Sequence, residues 1–560
     1  MSGAAPSREE AVAFRASRLD WRAEASDAAL VRAEIAERLE ALESAPGAQV
    51  LKRNRVRTVL RVPLSDGRRV IVKRYRASGL APLFKYQVRR SRARTEWDVG
   101  RALACAGIAT SVPLAYAERR RANALRDAAL VTREIDDALH LNAYIERHLR
   151  GDAARDALRA SLHAEVARLA RTLHDAGFAH GDFHGGNLLI TGPPERPRLH
   201  VIDLHSVARR RRISRRARWR DLVKLLHSLR NDTTAEERLE LVRSYASAGP
   251  DVLAIALDAG TLSPRLERAI ARVERVRVRS RTARCLVRST AFDISSVRGV
   301  RVHHRRVIDA AEVVALVDAH RRDVSAGAKS VLKSGRRSSL SRQRLGDRTV
   351  VVKQYRDLWW ERVRNLVRPR ALSAWVAGHG LRVRGFDAAE PLALALCGRG
   401  IAMSDAFLVM EDLGAARRAD HVALARYGGK PAPSRRAEKR ALVASAAELV
   451  RRLHVAGVYH ADLKAVNLFL RGELGDDARF VLADYDRVRL DREVSRRRRI
   501  KNLAQLSASV PVCISLPDRL RFFRAYAADD PSALRAWKDW ARRIIEACSK
   551  KIVVEMRPIE

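Results

Sequence analysis

Residues 58–75 read TVLRVPL, SDG and RRVIVKRY, with apolar and polar positions alternating on either side of a Ser-Asp-Gly break. A period of two places one face of a strand against a core, and Asp-Gly suits a tight reversal, so the segment predicts a β-hairpin. SLSRQRL, GD and RTVVVKQY (339–355) predict the same hairpin a second time. A helical segment follows in each case, then strand-like stretches, AALVTREI (128–135) and AFLVMEDL (406–413). Further along, the spacing becomes that of a helix. Leu162, Val166, Leu169, Ala170 and Leu173 make one apolar stripe, and Gly177 suits its C-terminal cap. Leu442, Ala446, Leu449, Val450 and Leu453, with Gly457, repeat it. Each stripe leads into a polar loop, a short strand (LLIT, LFL), a turn, and a strand ending in Asp203 or Asp484.

These echoes have a fixed offset. LARTLHDAGFAHGDFHGGNLLI (169–190) matches LVRRLHVAGVYHADLKAVNLFL (449–470) at 280 residues, and VIVKRY (70–75) matches VVVKQY (350–355) at the same distance. RLHVIDLHSV (198–207) matches RFVLADYDRV (479–488) at 281. Each copy is a domain of roughly 250 residues, far longer than a solenoid unit. Strands first and helices later, twice over, predict an α+β protein of two tandem domains, each with a small β-rich lobe and a helical lobe. The expected boundaries are 1–262 and 285–560. The basic segment between them, SPRLERAIARVERVRVRSRTAR (263–284), reads as a solvated inter-domain helix.

Composition narrows the setting. Five cysteines lie far apart, with no CxxC and no Cys/His cluster, the pattern of a reducing compartment without structural zinc. The first residues lack the apolar core of a signal peptide, and no apolar run of about eighteen residues occurs, so a cytoplasmic protein is expected. The formal charge of +44 comes mostly from arginine: 14 of the 109 basic residues are lysine, which leaves 95 arginines. Base composition alone can produce such a bias without any function. Even so, such a charge implies polyanionic company, either anionic lipid headgroups or a phosphorylated substrate. Aromatics are 5% and no DNA- or RNA-binding signature occurs, which disfavours nucleic acid.

The polar loops, HGDFHGGN (180–187) and HADLKAVN (460–467), carry the candidate chemistry. Phosphoryl transfer from ATP asks little covalent work of a protein. It needs a lysine on the donor phosphates, metal ligands, and a carboxylate that orients the acceptor hydroxyl. Lys73 ends an alternating strand, and Glu96, in SRARTEWDVGRAL, falls on the following helix where it could pair with that lysine. Asp182 lies five residues before Asn187 and 21 before Asp203, and a hairpin between LLIT and LHVID would bring Asn187 and Asp203 together. Oxygen ligands of this kind suit Mg2+. A lone HxD is as often a turn; the ordered set occurring twice is what points to catalysis. His180 and His460 read as structural, whereas His184 and Lys464 share a position near the transferred phosphate.

The strand lysine, helix glutamate, HxDxxxxN loop and following aspartate resemble the protein-kinase-like superfamily. Within it, KRY, TEW before AGIAT, HGDFHGGNLL, CLVRSTAF (285–292) and ALSAWVAGHGLRVRG (371–385) resemble the lipopolysaccharide kinase (Kdo/WaaP, InaA-type) family, in two tandem copies. The resemblance implies a kinase-like fold and an ATP- and Mg2+-dependent phosphotransferase acting on a sugar hydroxyl of a lipopolysaccharide core or related envelope glycolipid. Such an enzyme would work in the cytoplasm, with peripheral attachment at the inner face of the inner membrane as an extension. Position by position it assigns Lys73 and Lys353 to ATP, with Glu96 as partner of the first. Asp182 and Asp462 become catalytic bases, and Asn187, Asp203, Asn467 and Asp484 the metal ligands, while Lys464 is a catalytic candidate on its loop position and permanent charge alone. There are departures. LKRNRVRT and LKSGRRSS stand where a glycine-rich phosphate loop would be, and Asp203 and Asp484 precede LH and YD rather than FG. Aligning Trp97 with Trp375 sets Ala374 opposite Glu96, so the second lysine is expected to lack a partner and the second copy to be the weaker catalyst. WRDLVKLLHSL begins only 16 residues after Asp203, so no long activation segment is expected and a small or glycolipid acceptor fits better than a protein. The runs ARRRRISRRAR (208–218) and SRRRRIK (495–501) are either solvated or positioned to grip an acidic sugar. The alternatives are a small-molecule phosphotransferase of the aminoglycoside or choline kinase type, and a pseudokinase scaffold with one or both copies inactive. Nucleic-acid binding comes third.

Overall fold

The computed structural model describes residues 11–549, apart from short internal segments of which 77–89 and 357–368 are the longest. Contacts divide the chain into two units, Met1–Glu274 and Arg275–Glu560. Each holds a seven-stranded antiparallel sheet followed by a helical part, and the strand order is the same in both.

In the first unit the hairpin Arg57–Pro63/Arg69–Arg76 forms as its alternation requires, with Lys73 opposite Val59. Val70 and Val72 bury with Leu60 and Val62 beneath short helical turns that contribute Val31, Ile35 and Leu42. Each such buried Val or Leu side chain contributes about 1.5–3 kcal/mol relative to exposure. The opposite parity sends Tyr75 to the other face, against Ala93 and Trp97 of helix Arg92–Cys105. The second unit repeats this on hairpin Ser338–Leu345/Arg348–Arg356 and helix Arg370–Val383. There the outer face is covered by a longer helix, Ala310–Ala326, capped by Asp309 and Glu312.

Each sheet carries at one edge a hairpin that the hydrophobic pattern did not reveal, Ala11–Ala16/Leu19–Glu24 and Phe292–Val297/Val300–Arg305. Their turns use Ser17-Arg18 and Arg298-Gly299 at positive φ. Apart from Gly299, these are residues that a turn of this type rarely carries, so the usual Asn-Gly signal is missing.

The segment 263–284 is helical as expected, but one face of its first half is buried rather than solvated. It belongs to one helix, Ala259–Ala283, and Leu262, Leu266 and Ile270 pack into the helical core of the first unit. The division between units falls inside this helix, at Glu274/Arg275, rather than at its ends. The last helix of the second unit, Trp537–Ser549, flanks an apolar groove of about 800 Å3 lined in part by Leu442, Leu506, Phe523 and Ile544.

Candidate active site

The first domain gathers its charges where the sheet meets the helical part. Helix Arg92–Cys105 starts at Ser91, whose Oγ accepts from Arg94 N, and it lies close to the sheet because Gly100 abuts Pro113. A Cβ at Gly100 would stand 3.0 Å from Pro113 Cγ. That seating carries Glu96, 4% exposed, to Lys73: Nζ to Oε2 is 2.6 Å. Tyr75 OH donates to the other carboxylate oxygen at 2.9 Å. A buried ion pair is tolerated better when further hydrogen bonds support it, and here each carboxylate oxygen of Glu96 has a donor.

Asp203 comes to the same place from below. Strands Leu188–Thr191 and Arg198–Val201 pair with Leu188 opposite Val201. Asn187 and Ile202 are therefore the next facing residues, and Ile202 N donates to Asn187 O at 3.0 Å. Asp203 follows in a left-handed conformation, φ 60°, ψ 55°, which Asp tolerates better than most residues. Its Oδ1 lies 2.9 Å from His205 Nδ1, 3.3 Å from Arg57 Nη1 and 3.8 Å from Lys73 Nζ. Burial alone would raise this carboxyl; the His205 hydrogen bond and the charges of Lys73, His205 and Arg57 instead hold it well below the usual carboxylate range.

The polar loop is fixed from behind. Asp221, fully buried on helix Arg215–Leu229, accepts from His180 N at 2.7 Å and Gly181 N at 3.1 Å, and its carboxylate also faces His174. Gly181 has φ +74°, and a Cβ there would meet Ser206 O at 2.8 Å. His180 donates from Nε2 to Ile202 O at 3.1 Å, so its role here is to hold backbone. Asn187 Nδ2 donates to Asp182 O at 2.9 Å and so braces the loop across its turn. The Asp182 carboxylate is left half exposed, 3.7 Å from His184 Nε2 and 3.8 Å from Lys224 Nζ. Lys224 also donates to Gly181 O. Sequence reading missed Arg57, Asp221 and Lys224. Asp221 left one trace, a carboxylate in the middle of an apolar helix face between Trp219 and Leu222.

The second domain reaches a similar geometry with different residues. Asn467 Nδ2 donates to Asp462 O at 3.0 Å, Ala483 N donates to Asn467 O at 3.1 Å, and Lys464 Nζ lies 3.1 Å from Asp462 Oδ1. Asn502 and Gln505 stand where Asp221 and Lys224 stand in the first domain. Their amides donate to His460 O and Ala461 O, at 2.5 and 2.7 Å. Ala374 is fully buried beside Trp375, as the alignment implied. The expectation that Lys353 therefore lacks a partner is wrong. Its Nζ lies 2.6 Å from Asp486 Oδ2 and 3.3 Å from Asp484 Oδ1, and Tyr355 OH donates to Asp486. Burial works against the Lys353 charge, but the carboxylates of Asp486 and Asp484 more than offset it and raise the ammonium above its ordinary range. The two arginine runs also differ. Arg209 to Arg212 are all exposed, with Arg209 over the Phe178 ring, whereas Arg496, also exposed, pairs with Asp539 at 2.6 Å over the Trp540 ring and the half-buried Arg498 lies over Tyr459.

Among known proteins, the model of the lipopolysaccharide kinase (Kdo/WaaP) family matches residues 44–245 and again 326–526. The lipopolysaccharide core heptose(I) kinase WaaP of Pseudomonas aeruginosa is 32% identical over 215 residues, which is 37% of this chain and 79% of that protein. The protein of the same name from Escherichia coli is 28% identical over 147 residues, 25% of this chain and 54% of the relative. A solved structure described as WaaP in complex with acyl carrier protein is 27% identical and covers 45% of this chain and 97% of its own, with a TM-score of 0.35. No helix among the described residues is long and apolar enough to cross a membrane. With the family pattern present twice and spanning more than half its length, the chain belongs to the lipopolysaccharide kinase (Kdo/WaaP) family and is a phosphotransferase.

Proposed function

We propose that the protein uses ATP and Mg2+ to phosphorylate a sugar hydroxyl of a lipopolysaccharide core or a related envelope glycolipid, and that the first domain carries this reaction on a protein-kinase-like scaffold. One observation supports this above all: Lys73, Glu96 and Asp203 come from three separate elements and meet within hydrogen-bond or ion-pair distance, with Asn187 and the Asp182 loop tied to the Asp203 strand.

Each residue then has a task. Lys73, held by Glu96, presents its ammonium to the donor phosphates. Asp182, exposed and braced by Asn187, accepts the hydrogen bond of the acceptor hydroxyl and takes its proton as the phosphoryl group transfers. Asn187 and Asp203 would hold magnesium; the Asn187 amide nitrogen is engaged with Asp182 O, which leaves its amide oxygen, and Asp203 is ionised, a hard oxygen set that suits this ion. When bound, the metal supplies charge neutralisation on the phosphate oxygens. From Asp203 the chain passes through the turn Leu204–Ser206 to the helix that begins at Arg215, with no room for a long activation segment. That supports a glycolipid or small acceptor over a protein. The exposed Arg209–Arg212 run follows Asp203, where guanidinium groups can grip acidic sugars or an anionic leaflet at the inner face of the inner membrane.

Labelled ATP incubated with fractionated envelope glycolipids tests the reading. Label should enter core glycolipid and be lost with Asp182→Asn. Transfer to a soluble aminoalcohol but not to glycolipid would replace this reading with the small-molecule one, and no transfer to either would favour a scaffold.

A further inference from the structure

In the first domain the lysine clamp has three parts: Lys73 on the strand, Tyr75 two residues on, and Glu96 on the helix. In the second domain the strand parts are kept as Lys353 and Tyr355, and the helix position is Ala374. Both strand groups nevertheless converge on one carboxylate, that of Asp486, 12% exposed at its side chain. By the offset of the final strand, Asp486 stands where the first domain has His205. His205 approaches the same charge cluster, 2.9 Å from Asp203 and 3.9 Å from Glu96. Two positions have thus exchanged character. Glutamate on the helix with histidine on the loop has become alanine on the helix with aspartate on the loop.

Local packing accounts for the exchange. Tyr485 fills the space beside the helix: a Cβ on Gly378 would meet its ring at 2.9 Å, and its OH donates to Ala389 O at 3.1 Å. At the matching Gly100 the first domain places the smaller Leu204, 3.6 Å from such a Cβ. With Tyr485 anchored on one side, Asp486 is turned toward Lys353, and its own N–H donates to Asp484 Oδ1 at 3.1 Å. A buried lysine without a counter-charge is costly, so a carboxylate retained by both strand groups after its helix source is gone indicates a lysine still held in place.

We infer that the second domain keeps a nucleotide site in which Asp486 is the positioning residue for Lys353, in the role that Glu96 has for Lys73. This rests on the kinase reading, since a positioned lysine has a purpose only where donor phosphates bind. It also moves the source of the clamp: in the first domain the lysine is set by a helix, in the second by the loop that carries Asp484.

The test uses the full chain with the first site disabled by Lys73→Ala, and reads binding of a fluorescent ATP analogue with Mg2+. Asp486→Asn should weaken binding about tenfold or more. Ala374→Glu combined with Asp486→His, the arrangement of the first domain, should restore most of it. The reciprocal transplant reads kinetics: Glu96→Ala in an otherwise intact chain should raise KM for ATP, and Glu96→Ala with His205→Asp should recover it, with smaller changes in kcat. A merely structural role for Asp486 would show equal melting losses and no recovery from a carboxylate moved to the other element. The inference is overturned if Asp486→Asn binds the analogue as the parent does, if neither transplant recovers function, or if the Lys73→Ala chain binds no analogue at all. In that last case, glycolipid phosphorylation by the intact chain would leave the first-domain reading standing.

Discussion

The two domains share a sheet order, a lysine strand and a loop whose asparagine braces its aspartate, yet hardly any charged neighbour of those groups is the same. Asp221 and Lys224 support the first loop; Asn502 and Gln505 support the second. Arg57 reaches Asp203 in the first domain, where the strand register of the second places Ser338. Gly181 takes a left-handed turn under the first loop, and Ala461 does without one. What is kept is a geometric requirement, a carboxylate within about 3 Å of a largely buried ammonium. Which element provides it is free, because a Coulombic pair in a poorly hydrated site depends on distance rather than on sequence order.

The strongest test of the comparison is catalytic. Asp182→Asn should lower glycolipid phosphorylation by about 10²–10⁴-fold in initial-rate assays, the usual worth of a positioned base. Asp462→Asn should cost only the share of the second domain. An Asp182→Asn chain that keeps full activity would transfer the reaction to the second domain and reverse the assignment.

Acid stability should separate the domains next. Burial pushes His303 and His454 down to about 4 and His379 to about 3, all in the second domain. His454 faces Asn502, where its counterpart His174 faces the carboxylate of Asp221. A histidine whose folded value is depressed adds stability above its unfolded value, near 6.5, and that stability is lost as pH falls toward the folded value. Burial lowers His163, His180 and His200 of the first domain as well, so both domains should weaken between about pH 6.5 and 4, the second by a few kcal/mol more through His303, His379 and His454. Hydrogen exchange resolved by domain would show it, and loss of the first domain at higher pH would contradict it.

A smaller effect is expected at Gly181. Gly181→Ala forces a side chain into a left-handed conformation, at about 1–2 kcal/mol, and against Ser206 O. It should lower the activity of the first domain, whereas Ala461→Gly should leave nucleotide binding by the second within about twofold, since glycine costs an alanine site only about 0.5–1 kcal/mol. Equal effects would mean that the two loops are built alike.

The smallest difference concerns the arginine runs. Replacing Arg209–Arg212 with glutamine should weaken binding to anionic vesicles, each residue contributing about 1 kcal/mol or less near the surface, and the loss should shrink as salt rises. Replacing Arg496 and Arg498 should lower the melting temperature more, because Arg496 also pairs with Asp539 and both side chains lie against rings, Trp540 and Tyr459, whereas in the first run Arg209 meets one ring, that of Phe178.

Much of this molecule is legible in the order of its residues. The alternation at 57–76 and 338–356 fixes two hairpins, and parity along the strand fixes which face carries Lys73 and Lys353. The spacing from Asn187 to Asp203 fits a hairpin that sets them side by side, as the pairing of Leu188 with Val201 shows. These are local consequences of backbone period and turn chemistry, acting over a few residues. The edge hairpins escaped notice because Ser17-Arg18 carries no turn signal, and the packing of helix Ala259–Ala283, though not the helix itself, because its arginines obscured an apolar stripe at Leu262, Leu266 and Ile270. The pairing of Lys73 with Glu96 is also readable, but the partner of Lys353 is a different kind of fact. Glu96 lies 23 residues from Lys73, and Asp486 lies 133 residues from Lys353. By itself the sequence determined the repeat, the strands and the polar loops. Only tertiary packing decided that Asp486 meets Lys353, because an ion pair forms wherever helix, strand and loop bring opposite charges within reach, and the bulk of Tyr485 beside Gly378 helps to set that approach.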